Sequence, residues 1–274
     1  MTKYNHIQWV VQRNLTSRED FSALQNSCTK LNIPLIELDI IPFTYALPAF
    51  DKQRRTIIYG STTFNRLAYE DPQLRPGVFF DEQTFSIENY LKHWGSHMLN
   101  HNATITTFRQ LFDNTVLPDD KQLFIRPDDD SKSFSGGVRR FDELTAWYGQ
   151  LTKTAGTDLT PDTKIIVAEP WNIAYEWRLW IVNKKVIAAS QYRRYFKLDK
   201  QEGCPQQIKT FAEARALEYT PHDVFVMDVC QCGDEYYIVE CGSMNGAGFY
   251  LACIEDIVSS VSDYFAFRVN TIDR

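Results

Sequence analysis

Two carboxylates stand inside apolar, strand-forming sequence: Asp228 in Val224-Phe225-Val226-Met227-Asp228-Val229-Cys230, and Glu240 in Tyr236-Tyr237-Ile238-Val239-Glu240-Cys241. β-Branched and aromatic residues fill both segments, and Gln231-Cys232-Gly233-Asp234 between them has hairpin-turn chemistry. Pairing across the turn brings both carboxylates onto one sheet face, whereas a slip of one residue separates them. A carboxylate in such surroundings is costly unless compensated. An oxygen-ligated divalent cation compensates it, and so does a neighbouring arginine or exposure to solvent. The hairpin therefore reads either as a metal clamp or as two ordinarily paired acids.

Two further segments carry candidate chemistry. Phe124-Ile125-Arg126-Pro127 ends a strand with a cation and runs into a loop holding Lys132 and the Ser135-Gly136-Gly137-Val138 turn. Backbone N–H groups at the two glycines can approach a phosphate closely, with Arg126 and Lys132 balancing its charge. The same loop also suits a solvated surface in which Lys132 pairs with Asp128, Asp129 or Asp130. Glu169-Pro170-Trp171, at a strand exit, offers backbone donors and acceptors and an apolar wall suited to a purine, and Glu176 could accept ribose hydroxyls. Trp171 is equally at home in a core. Arg178 and Arg193 or Arg194, on successive strands, either converge on phosphates or form surface ion pairs.

The elements that must position these groups are legible in outline. Strands are expected at His6–Gln12, Leu35–Asp39 and Thr56–Gly60, with a helix over Ser17–Leu31, an order that reads as βαβ. Ser61-Thr62-Thr63 then forms either a ligand loop of the kind found at strand ends in open α/β sheets or a plain turn. Pro72 and Pro76-Gly77 break the pattern, and Ser86 is expected to cap a helix over Asn89–Leu99, placing a lobe boundary near residue 85. Beyond it come a helix around Thr107–Phe112, a strand at Gln122–Arg126, a loop over Pro127–Gly137 and a helix at Phe141–Gly149. Strands at Ile165–Glu169, Arg178–Val182 and Val186–Gln191 follow, then a helix at Ile208–Leu217, the hairpin, and a last helix at Ile254–Phe267. Several antiparallel pairs make this an α+β chain.

At 274 residues and a net charge of −6, the chain is long enough for two lobes and too acidic for generic nucleic-acid coating. Its six cysteines form no Cys-x-x-Cys pair, so buried reduced thiols are expected rather than a zinc cluster. No run of about 20 apolar residues and no signal-peptide core occurs, which predicts a soluble, cytoplasmic protein with no membrane partner.

The order of basic strand, Gly-rich loop, Glu…Glu hinge, Arg strand and Asp…Glu hairpin resembles the ATP-grasp superfamily. The resemblance is to its phage and bacterial clade named for an arginine and lysine pattern, over roughly residues 86–265. Phe124-Ile125-Arg126-Pro127, Glu176-Trp177-Arg178, Ser190-Gln191-Tyr192-Arg193 and Gly248-Phe249-Tyr250 carry it. It implies an ATP-grasp fold at 86–274, two α+β subdomains clamping ATP, preceded by a small α/β pre-ATP-grasp lobe at 1–85. Carried over by position, Arg126 replaces the usual phosphate-binding lysine, Lys132 lies in the covering loop, and Lys92 stands for an earlier ATP-contacting lysine. Glu169 and Trp171 mark the purine hinge and Glu176 the ribose contact. Arg178 and Arg193 stabilise the transferring phosphoryl group, and Asp228 and Glu240 hold Mg2+. The family commonly has Asn two residues after the metal-binding Glu. Gly242 stands there instead, with Asn245 the nearest substitute, which leaves one or two ions open. The implied activity is an ATP- and magnesium-dependent ligase, ADP-forming, joining a small-molecule or peptide carboxylate to an amine through an acyl phosphate. An ATP-grasp phosphotransferase and an inactive nucleotide-binding module are the alternatives.

Overall fold

A computed structural model describes residues 3–41, 44–128, 134–151 and 159–267. The first lobe is built on a parallel sheet of β1 (Ile7–Gln12), β2 (Leu35–Leu38) and β3 (Arg55–Tyr59), in the order β2-β1-β3. Every residue of β1 is buried, as a central parallel strand covered on both faces requires. Helix α1 (Arg18–Lys30) starts where Ser17 Oγ accepts the Asp20 N–H at 3.1 Å. Helix α2 (Thr62–Glu70) starts in the same way at Ser61, so the expected loop or turn at Ser61–Thr63 is a helix entry. Helix α3 (Ile87–Trp94) is capped by Ser86 and stops at Gly95, whose φ of 49° a side-chain-bearing residue rarely adopts, which explains why it ends short of Leu99.

The rest of the chain holds two antiparallel sheets. One has β4 (Thr104–Thr107), β5 (Gln122–Pro127), β6 (Gly137–Arg140) and β7 (Lys164–Ala168) in the order β4-β7-β5-β6. Helices α4 (Phe108–Asn114) and α5 (Phe141–Leu151) supply Phe108, Leu111, Phe141 and Leu144 to its core, which is separate from the other apolar clusters. The other sheet has β8 (Tyr175–Val182), β9 (Lys185–Arg194), β10 (Lys197–Glu202), β11 (Val224–Cys232) and β12 (Glu235–Gly242), ordered β10-β9-β8-β11-β12. Helix α6 (Gln206–Glu218) packs against this sheet, and α7 (Ile254–Phe267) against both it and the first lobe.

One apolar core runs through Trp9 and Ile57 of the first lobe, Trp180 and Val226 of the five-stranded sheet, and Val258 and Phe265 of α7. The boundary proposed near residue 85 thus separates parallel from antiparallel strands within one packed body. Strands β4, β6 and β10 lie outside the sequence expectations. β10, Lys-Leu-Asp-Lys-Gln-Glu, is an exposed edge strand that has no buried face to impose an alternating pattern.

Candidate functional site

Strand register assembles the site. Asp228 on β11 is opposite Arg178 on β8 and Glu240 on β12, so three neighbouring strands place one cation and two carboxylates in a row. The β11–β12 register shifts just after that pair, between Asp228 and Val229. Such a bulge bends the strand and re-aims side chains. Arg178 grips Asp228 with two prongs, Nε to Oδ1 and Nη2 to Oδ2, both 2.8 Å. Arg126 comes from β5, in the other sheet, and its Nη2 lies 2.7 Å from Glu240 Oε2. Arginine's planar fork suits both pairings, and its charge persists at any accessible pH.

A second layer lies beside the row. Glu176 is buried opposite Arg193 in the β8–β9 register, with Arg193 Nη1 at 3.5 Å from its Oε1. Tyr192 donates its hydroxyl to Glu176 Oε2 at 2.8 Å and also approaches Asp228 Oδ2 at 3.3 Å, linking the two acids. Its ring stacks on Tyr250 at 4.9 Å and 8°, and the Arg178 guanidinium is 5.3 Å from the Tyr250 ring centre. Tyr250 has a φ of 54°, a conformation that costs a bulky residue energy and that the stacked ring holds in place.

Burial dominates the electrostatics. It raises the Glu176 carboxyl above its ordinary value of 4.5, against the opposing pull of the Tyr192 hydroxyl and Arg193. It also drives the Tyr192 hydroxyl far upward, with the charges of Asp228 and Glu176 adding to the effect. For Arg178 burial acts downward but Asp228 outweighs it, so the guanidinium is held more firmly protonated than usual.

The structure thus brings Arg126, Arg178, Arg193, Glu176, Asp228 and Glu240 together. Other expected residues lie elsewhere. Asn245 is fully buried, and its amide is saturated: Nδ2 donates to Ile58 O at 2.6 Å and Gly77 O at 2.8 Å, and Oδ1 accepts from Phe79 N–H at 2.6 Å and Ser243 Oγ at 3.0 Å. Reaching a metal would mean releasing Oδ1 from two donors, so in this arrangement Asn245 fastens the C-terminal segment to the first lobe. Glu169 is exposed and ion-pairs with Lys121 at 2.7 Å. Trp171 packs against Tyr237 with ring centres 5.2 Å apart, in the connector between β7 and β8. Lys92 is exposed in the last turn of α3, and Lys132 lies outside the described residues.

A cavity of about 510 Å3 opens beside the row, lined by Arg178, Asp228 and Glu240 and by Gly60, Ser61 and Thr62 of the first lobe. Sequence reasoning flagged the Ser61–Thr63 segment but not this juxtaposition. It also missed Tyr192 as a bridge between two acids, because Tyr192 falls at the β8–β9 bulge and ends a run of four buried residues that has no alternating pattern.

The model for family 3 of the arginine-and-lysine clade of ATP-grasp domains matches residues 59–261. The chain belongs to this ATP-grasp family. ATP-grasp folds are also what it resembles among solved structures. A RimK domain ATP-grasp protein from Sphaerobacter thermophilus superposes with a TM-score of 0.58 at 13% identity, covering 94% of this chain and 99% of that one. The D-alanine–D-alanine ligase from Bacillus anthracis complexed with ATP gives 0.55 at 12% identity, covering 98% and 99%. A RiPP-associated ATP-grasp ligase from Chryseobacterium gregarium, in complex with ADP and a leader and core peptide, gives 0.54 at 12%, covering 95% and 97%. No curated protein matched the sequence. In this ATP-grasp chain, the connector carrying Trp171 joins the two antiparallel sheets and Arg126 bridges them.

Proposed function

We propose that the protein is an ATP- and magnesium-dependent ligase, ADP-forming, that activates a carboxylate as an acyl phosphate and joins it to an amine. The observation that carries this is the Arg126–Glu240 contact between the two sheets, set beside the Arg178–Asp228 pair. Two cations suited to phosphate oxygens are each held by an acid suited to a divalent ion. When ATP arrives, each arginine exchanges its carboxylate for phosphate oxygens, and each carboxylate is freed.

The freed donor set fits magnesium. Asp228 and Glu240 supply hard carboxylate oxygens from directly opposed positions on adjacent strands. Mg2+ is typically bound by one or two carboxylates plus substrate phosphates and water, so two acids without an Asn at Gly242 suit it. When bound, the ion neutralises phosphate charge and aligns the γ-phosphoryl group. Arg178 then stabilises the equatorial oxygens of that group as the acid's carboxylate oxygen attacks phosphorus and ADP leaves. Arg193 supports this step through Glu176, which Tyr192 orients. The amine next attacks the acyl carbon, and phosphate departs.

Solved structures with this fold include a ligase complexed with ATP and another complexed with ADP and peptide, which supports ATP as cosubstrate and a small-molecule or peptide substrate. No helix among the described residues is long and apolar enough to cross a membrane. The test supplies ATP, Mg2+, candidate acids and amines and follows ADP together with the adduct. AMP as product contradicts the acyl-phosphate route, and ADP with a stable phosphorylated product indicates a phosphotransferase.

A further inference from the structure

The cavity beside the Arg178–Asp228–Glu240 row is distinct from the cleft between the two antiparallel sheets, since among the described residues none of β4, β5, β6 or β7 lines it. Its lining combines apolar side chains with the half-buried Ser61, Asn65 and Ser243 and an exposed rim. Val78, Phe85, Val226 and Ala247 are buried, and the half-buried Phe80 ring lies 5.1 Å from that of Phe85. Arg66, Tyr69 and Glu82 are exposed and form the mouth. Val226 is two residues before Asp228 on the same strand, so it shares a face with that carboxylate and carries the apolar wall up to the reacting end.

The distribution of charge decides what can enter. Among the described residues, the charged groups of the enclosed part are Arg178, Asp228 and Glu240, with Arg178 held by Asp228 and Glu240 by Arg126. The other cation of the lining, Arg66, is at the mouth and ion-pairs with Glu70 at 2.7 Å. One carboxylate can therefore be received at the Arg178 end. A second carboxylate lying against Val78, Phe85 or Val226 would be desolvated without a partner, a large penalty. The volume lies within the range of ordinary small-molecule pockets.

Building on the ligase reading, we infer that the acid activated here is a monocarboxylate with an apolar body, such as an aliphatic or aromatic acid or the α-carboxylate of an apolar amino acid or peptide terminus, and not a free dicarboxylate. The acid enters carboxylate first, its carbon body lies along Val78, Phe80, Phe85 and Val226, and any polar remainder leaves past Arg66 and Glu82. In the first step a carboxylate oxygen bonds to the γ-phosphorus and the bond to the ADP oxygen breaks, giving acyl phosphate and ADP.

Hydroxylamine tests this without knowledge of the natural amine, because it attacks the acyl carbon, releases phosphate and leaves a hydroxamate. The protein with ATP and Mg2+ is assayed on 4-methylvalerate, 3-phenylpropionate and leucine against aspartate, glutamate and glutarate, with ADP and hydroxamate both measured. Hydroxamate from the apolar set is the expected result. Phe80→Ala should then raise KM for those acids about tenfold, the scale on which a hydrophobic pocket reads lost contact, while KM for ATP stays unchanged. Val226→Thr, near in shape but adding a hydroxyl, is first checked for folding by its urea midpoint and should narrow the preference for apolar over dicarboxylic acids several-fold. Hydroxamate from the dicarboxylates alone overturns the inference and leaves the ligase reading standing. Nucleotide binding with no hydroxamate from any acid overturns both.

Discussion

Arg178 and Asp228 face each other across β8 and β11 in a two-pronged ion pair, both hydrogen bonds 2.8 Å, with Asp228 almost fully buried. Removing the cation leaves a buried charge unpaired. Arg178→Ala is expected to destabilise the nucleotide-free protein by about 3–5 kcal/mol, the usual cost of breaking such a pair, measured by urea unfolding. Arg178→Ala with Asp228→Asn should recover part of that loss without recovering activity. A single variant as stable as the parent would show that the Tyr192 hydroxyl or another cation compensates Asp228 without Arg178.

Arg126 crosses from β5 to Glu240 and is the proposed phosphate ligand of the four-stranded sheet. Arg126→Ala should weaken ATP binding at least about tenfold in calorimetry, a charge-assisted hydrogen bond being worth about 1.5–3 kcal/mol. Unchanged affinity would remove it from the phosphate site.

If each arginine must leave its acid before that acid can hold a cation, ATP and Mg2+ should bind with positive coupling. Titration of ATP at increasing Mg2+ should show affinity rising in the parent and a flatter dependence in Glu240→Gln. By linkage, ATP should tighten Mg2+ binding by the same factor. Independent binding of the two would contradict the exchange.

Glu176 carries a pH signature. Burial raises its folded-state value above 4.5, so the neutral form is favoured by folding. Its contribution is fully present below the unfolded value and is lost as pH rises through the folded one. Glu176→Gln removes that loss, so the variant should gain stability relative to the parent as pH rises from below 4.5 toward neutrality, followed by urea midpoints. A constant difference across that range would rule out the raised value.

Asn245 makes three side-chain hydrogen bonds from the C-terminal segment to the first lobe and accepts a fourth from Ser243 beside it. Asn245→Ala strands several buried backbone groups, each costing about 1–3 kcal/mol, so strong destabilisation is expected by thermal unfolding. The affinity of the folded fraction for Mg2+ should be unaltered, and a selective loss of metal binding would instead make Asn245 a ligand.

Much of this site was legible because its signals are local. The two apolar strands and the turn between them can be read directly, as can the caps at Ser17 and Ser86 and the periodicity of the last helix. The Asp228–Glu240 pairing itself needs the bulge after Asp228, without which the turn's register sets Asp228 against Val239. The carboxylates' partners were not legible. That Asp228 meets Arg178 depends on the β8–β11 register, and that Glu176 meets Arg193 on a bulge at Glu176/Trp177, neither of which composition encodes. Asn245 misled for the opposite reason: it lies near the metal hairpin in sequence, while its partners Ile58, Gly77 and Phe79 are more than 160 residues away.

The continuous packing of β1, β3 and α7 with the central sheet has a mechanical consequence. The first lobe and the central sheet share one core, whereas most apolar side chains of the four-stranded sheet pack in a core of their own, tied to the rest at Ile166 and by the Arg126–Glu240 contact. Hydrogen exchange should then respond to ATP at β5 and β6 and leave the backbone amides of β1 at their slow global rate. Ligand-induced opening of β1 would mean that the whole molecule breathes as one.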